Sequence, residues 1–256
     1  MPADGLHLAI DGAIARLTLR RPAKFNAMSR AMWRELAEAL AAVAARAEVR
    51  ALVVAGEGGH FCAGGDIAEY PGFRFDEASL RDFHEREVWG GLSALLACDK
   101  PVIAMIDGHC MGAGVEIASC CDIRVASASA RFGAPIARLG FPMAPREAEL
   151  VAREAGLASA REMLLQAAVL DAPTMLSRGF LHAVVPEALL AEEVLARARR
   201  MATLSPEAAR LNKRTLRALA GGAPADALLD SAYDYAGHAE HREGIAAFLD
   251  KRTPAF

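Results

Sequence analysis

Residues 100–132 read KPVIAMIDGHCMGAGVEIASCCDIRVASASARF, and the succession of apolar run, glycines and second apolar run within them decides the fold. The run 101–106 predicts a buried strand, and the glycine-spaced segment GHCMGAGVE (108–116) predicts a loop. The apolar segment 115–121 reaches helical length only if its helix starts among the glycines, so the loop doubles as a first helical turn. There the N–H groups near Gly112, Ala113 and Gly114 have no intrahelical partner, and the bare backbone lets a ligand oxygen approach. With the positive end of the helix they predict an anion or oxyanion site. Glu116 falls in the same first turn, which sets a carboxyl beside that site. The simpler reading is a plain strand-to-helix turn in which Glu116 only complements the helix dipole.

The segment GEGGHFCAGGDI (56–67) repeats the pattern after the apolar run 51–54. Small residues again precede a helix start, with Asp66 placed as a cap or first-turn acid. Two strand ends that each deliver free amides can meet at one carbonyl oxygen and stabilise it as it gains negative charge. For Asp66 taken alone, a helix cap is the plainer role.

FCAGGDI (61–67) paired with PVIAMIDGHCMGAGVEIASCCDIRVAS (101–127) resembles the crotonase, or enoyl-CoA hydratase/isomerase, superfamily. RPAKFNAMS (21–29), ARFGAP (130–135) and the terminal FLDKRTPAF (248–256) add to the resemblance, which covers nearly the whole chain in the family's order. It implies an α/β fold, a right-handed spiral of ββα repeats with a C-terminal helical extension, assembled as a homotrimer or a dimer of trimers. Residues 1–190 would form the spiral core with the coenzyme A and oxyanion site, and 191–256 a helical region for trimerisation or for covering the site. The implied substrate is an acyl-CoA thioester, with coenzyme A as part of the substrate and neither cofactor nor metal besides. By the same resemblance the oxyanion amides are those of Ala63 and Ala113, and Glu116 matches the first of two glutamates with which the family's hydratases add water across a 2,3 double bond. Coenzyme A and substrate would meet Lys24, Ala63, Gly64, Gly65, Asp66, Ile67, Gly112, Ile136, Phe248 and Lys251. Lys24 would take a phosphate, with a solvated surface lysine as the alternative. Phe248 and Lys251 would help enclose coenzyme A, or else serve as a core aromatic and a surface lysine on the last helix.

A chain of 256 residues with 54% hydrophobic content supports one sizeable core and an appended helical part. A net charge of −3 without a basic block argues against nucleic acid as a partner. The five cysteines, an odd number with no CxxC spacing, fit reduced thiols in a cytoplasmic protein better than a metal site or nucleophile. No charged head precedes an apolar block at the N-terminus, and no run of apolar residues is long enough to span a membrane.

Along the chain, alternating apolar residues around Asp11-Gly12 predict a β-hairpin over 7–19, and Ser29 caps a predicted helix to about 47. Residues 70–76, with Pro71 and Gly72, predict a mobile loop, which by the resemblance lies where the family has a variable loop over the acyl group, and 77–98 predict a helix carrying His84. His84-Glu85 begins an HExxH pattern that Val88 ends, so no zinc motif results. His84 is then a polar wall of the acyl pocket or a residue of surface and helix packing. A strand is expected over 123–126 and mostly helix after Pro145, with a short extended piece at 182–185.

A thioester carbonyl held by two amides is a better electron sink, and what remains is a positioned acid or base. Glu116 is the candidate, and apolar neighbours would raise its pKa. Here the chain departs from the family. The second hydratase glutamate would follow Pro135, where this chain has Ile136. Three readings follow: a hydratase-like lyase with Glu116 as sole acid and base; another single-acid reaction, namely double-bond isomerisation, decarboxylation or thioester hydrolysis; or a protein that binds acyl-CoA without turning it over. GxGxxG, GK[ST] and GxSxG patterns are missing, which disfavours dinucleotide, P-loop and serine-hydrolase chemistry.

Overall fold

The computed structural model describes residues 4–256, so the first three residues of the expected 1–190 unit lie outside the described residues. Strands β1 (Gly5–Asp11) and β2 (Ile14–Arg20) form the expected hairpin, with Asp11 opposite Ile14 and Gly12 at φ +55° in the turn. Helix α1 (Arg30–Ala44) starts where the Ser29 side chain accepts a hydrogen bond from the Met32 N–H at 3.2 Å. It buries Met32, Trp33, Leu36, Leu40 and Val43, an apolar stripe at three- and four-residue spacing.

The chain then alternates between two sheets. Strand β3 (Ala51–Gly56) pairs in parallel with β2. A 3-10 turn over Ile67–Gly72 follows, then a long helix in three parts: α2 (Glu77–Asp82), a π turn over Phe83–Val88, and α3 (Trp89–Ala97). Strand β4 (Val102–Ile106) joins the first sheet and β5 (His109–Met111) starts the second. After α4 (Ala113–Cys120), β6 (Ile123–Ser127) returns to the first sheet and β7 (Arg131–Gly133) to the second. Helices α5 (Pro145–Ala155) and α6 (Leu157–Leu165), strand β8 (Val169–Asp171), helix α7 (Ala172–Ser177) and strand β9 (Ala183–Val185) complete both. The sheets run β1-β2-β3-β4-β6-β9 and β5-β7-β8, parallel except at the β1/β2 and β7/β8 pairs.

The central strands are buried on both faces, as parallel strands must be. Leu52 and Val54 of β3 enter the main core, while Ala51 and Val53 point the other way. That second face is covered by helix α8 (Glu187–Ala202) through Leu190, Val194 and Ala198. The expected boundary at residue 190 therefore falls inside a helix that belongs to the core. The helical extension begins after it, with α9 (Pro206–Ala220) and α10 (Ala239–Leu249). Buried Lys213 anchors α9 by donating to the Lys100 carbonyl and to the Asp122 carboxylate.

Three local expectations change. Residues 109–111 are a short strand, because the β7 backbone lies close enough to pair with them. Strand β8 has no alternation long enough to announce itself. The segment expected to be a mobile loop is anchored by Phe73, buried with its ring 4.6 Å from that of Phe83. No helix among the described residues is long and apolar enough to cross a membrane.

Candidate active site

The two glycine segments meet. Cys62 N–H donates to the His109 carbonyl and Met111 N–H to the Cys62 carbonyl, each at 2.8 Å, which zips residue 62 against β5. Gly114 lets α4 close on this junction: a Cβ there would lie 2.8 Å from the Cys62 carbonyl oxygen.

The backbone bonds decide which amides remain free. Ala63 N–H donates to the Phe25 carbonyl at 2.9 Å, so the expected role of Ala63 as an oxyanion donor is corrected: its hydrogen is already committed. Met28 takes the N–H of Asp66 and donates to the carbonyl of Gly64. In extended backbone successive groups point to opposite sides, so the intervening Gly65 N–H faces away from Met28, toward the cavity that Gly65 lines. Gly112 N–H is likewise used, by the Gly133 carbonyl at 2.8 Å. Ala113, first residue of α4, and Gly65 keep N–H groups with no partner among the described residues, and both line one cavity of about 220 Å³.

Glu116 lines the same cavity from the first turn of α4 and is the only carboxylate among the described residues that does so. Its carboxyl makes no hydrogen bond to the described residues. Burial, and then the nearby Glu147 carboxylate, push its pKa up to about 8. Ile136 also lines the cavity, on a 3-10 turn over Pro135–Leu139, and presents only hydrocarbon.

The other expected site residues divide. Gly64, Ile67 and Gly112 line the cavity. Asp66 does not: it caps the 67–72 turn through Ala68 N–H and pairs with Arg21 at 3.0 Å. Burial opposes its ionisation, but Arg21 and the Ala68 amide outweigh that and hold it below the usual carboxylate range. Lys24 is exposed, with Nζ 3.6 Å from the Asp66 carboxylate. Phe248 and Lys251 lie in and just after α10, exposed, and are not brought to the cavity within one chain.

Sequence reasoning missed Arg74, Tyr70 and Glu147, and left His84 open. His84 lines the cavity, its Nδ1 3.1 Å from Oε1 of buried Glu147. The pair is separated by 63 residues, so no local spacing could have joined them. All five cysteines are free and buried, and burial pushes the Cys62 thiol up to about 12, which leaves no thiolate nucleophile there. Among the described residues no group of three or more His, Cys, Asp or Glu side chains is placed to hold a metal ion.

Residues 9–256 match the family model described as enoyl-CoA hydratase/isomerase. A probable enoyl-CoA hydratase of Rhizobium meliloti (strain 1021) is 33% identical, with 100% of this chain and 99% of that protein covered. The 2,3-dehydroadipyl-CoA hydratase of Escherichia coli (strain K12) is 34% identical over 94% of this chain and 93% of its own. Among solved structures, an enoyl-CoA hydratase/carnithine racemase from Magnetospirillum magneticum superposes with a TM-score of 0.94 at 36% identity, covering 98% of this chain and 94% of that one. A two-sheet α/β fold with an amide-lined cavity, together with matches over essentially the full length, places this chain in the enoyl-CoA hydratase/isomerase family of enzymes.

Proposed function

We propose that the chain is an enoyl-CoA hydratase-like lyase in which Glu116 is the sole acid and base. The observation that carries this reading is an unpaired, desolvated carboxyl in one cavity with two unpartnered amides. A thioester oxygen accepting from the Gly65 and Ala113 N–H groups draws electron density from the double bond. The Glu116 carboxylate takes a proton from water as that water's oxygen bonds to C3, then gives a proton to C2 of the resulting enolate. It ends as it began. Lys24, half exposed beside the Asp66 carboxylate at the edge of the 61–67 loop, is the candidate phosphate contact.

Isomerisation is the second reading, because it needs no held water. With hydrocarbon where a second carboxylate would hold water, the same Glu116 can take a proton from C2 of a 3-enoyl-CoA and return it at C4. The assembly we infer is a homotrimer or a dimer of trimers, supported by the apolar surface that α9 and α10 expose, including Leu216, Ile245, Phe248 and Leu249.

The test is turnover of crotonyl-CoA and of a 3-enoyl-CoA, with products identified by mass. The hydrated product supports the first reading and a shifted double bond the second. E116Q should lower the rate by about two to four orders of magnitude, the usual scale of acid–base catalysis. An undiminished rate would remove Glu116 from the mechanism.

A further inference from the structure

Arg74 carries a charge that no neighbouring carboxylate neutralises. Its guanidinium carbon lies 3.6 Å from the centre of the Phe141 ring and 4.6 Å from that of Tyr70. Burial lowers its pKa, with only the Tyr70 phenol acting against that and no carboxylate doing so. A guanidinium packed against aromatic rings in place of a carboxylate keeps N–H groups to offer, a planar fork that fits a carboxylate.

The one polar side chain near that fork is His84, with Nε2 3.5 Å from Nη1 of Arg74. The other ring nitrogen of His84 faces the buried Glu147 carboxylate, which can only accept, so Nδ1 carries the proton and Nε2 turns a lone pair to Arg74. In this arrangement the imidazole accepts from the guanidinium. It orients the guanidinium without cancelling its charge.

The position is as telling as the charge. Arg74 and His84 line both the cavity that holds Glu116 and a second one, of about 460 Å³, that continues past Phe75 and Gly140. Arg74 is the only arginine or lysine among the described residues lining either. The walls around it include Ile67, Leu139 and Pro142, which offer an acyl tail only apolar contact. An acyl group held at Gly65 and Ala113 and running past Glu116 toward the outer cavity passes Arg74.

We propose that this acyl pocket selects thioesters whose tail ends in a carboxylate, which Arg74 pairs with while Glu147, through His84, holds the guanidinium in place. The proposal rests on the acyl-CoA reading above and goes beyond it by assigning the chemistry of the tail.

The test uses a matched pair of trans-2-enoyl-CoA thioesters of equal chain length, one ending in a methyl group and one in a carboxylate, together with their saturated counterparts, whose binding needs no turnover. Wild-type protein should favour the carboxylate-ended enoyl substrate by about tenfold to a hundredfold in kcat/KM and bind its saturated counterpart more tightly by a similar factor, the range a charged hydrogen-bonding site gives when its partner is missing. R74M should collapse both ratios toward one, and R74K should restore part of them. Equal Kd values for the two saturated thioesters in wild-type protein overturn the proposal whether or not there is turnover, as does a ratio that R74M leaves intact. If neither enoyl thioester reacts but the binding preference is present and lost in R74M, the hydratase reading fails and the tail assignment stands.

Discussion

At the scale of single residues, the proposed chemistry turns on how Glu116 is ionised. In hydration and in isomerisation alike the carboxyl must first accept a proton, so the ionised form is the active one. Its pKa of about 8 means that the ionised fraction, and with it kcat/KM, should rise about tenfold per pH unit below that value and level off above it. After burial, the second cause of the elevation is the Glu147 carboxylate. E147Q removes that charge, so the midpoint should move to lower pH, read from kcat/KM profiles of the two proteins. A midpoint that stays in place would separate Glu147 from Glu116. Glu116 and Ile136 could be picked out in the sequence because each stands at a fixed offset from a local pattern. Gly65 could not be told from Ala63, since neighbours in one loop differ as donors only in where their N–H groups point, and the Phe25 and Met28 backbones decide that.

At the scale of elements, the site depends on how closely α4 approaches the 61–65 loop. Gly114 sets that distance, because a Cβ there meets backbone, which has no rotamer to escape into. G114A should cost about 1–3 kcal/mol by thermal or denaturant unfolding. It should also lower kcat more than it raises KM, because the Ala113 amide and Glu116 move together with the helix. A variant of unchanged stability and rate would show that α4 has slack at this point. The helix itself was legible: glycines followed by an apolar run leave only one start, and Gly112 is indeed its cap, at φ +47°. The pairing of β5 with β7 was not, since three-residue strands carry no periodicity and arise from proximity.

At the scale of the whole molecule, the assembly inferred above rests on the exposed apolar surface of the C-terminal extension. Phe248 and Leu249 are 83% and 72% exposed, against a net charge of only −3. Light scattering should give a mass of three or six chains, and the double change F248D/L249D should lower it; a monomeric wild type would overturn the assembly inferred above. The sequence by itself determined the family, through its motifs, and the α/β class, and it singled out Glu116 as a candidate, because glycine spacing and a first-turn acid stand within a dozen residues of one another. Tertiary structure alone decided the rest: that α8 closes the second face of the sheet, that Gly65 and not Ala63 offers the free amide, and that Glu147, His84 and Arg74 stand in one line. Each of these joins groups far apart along the chain, and such groups acquire neighbours, desolvation and hydrogen-bond direction only once the backbone has closed around them.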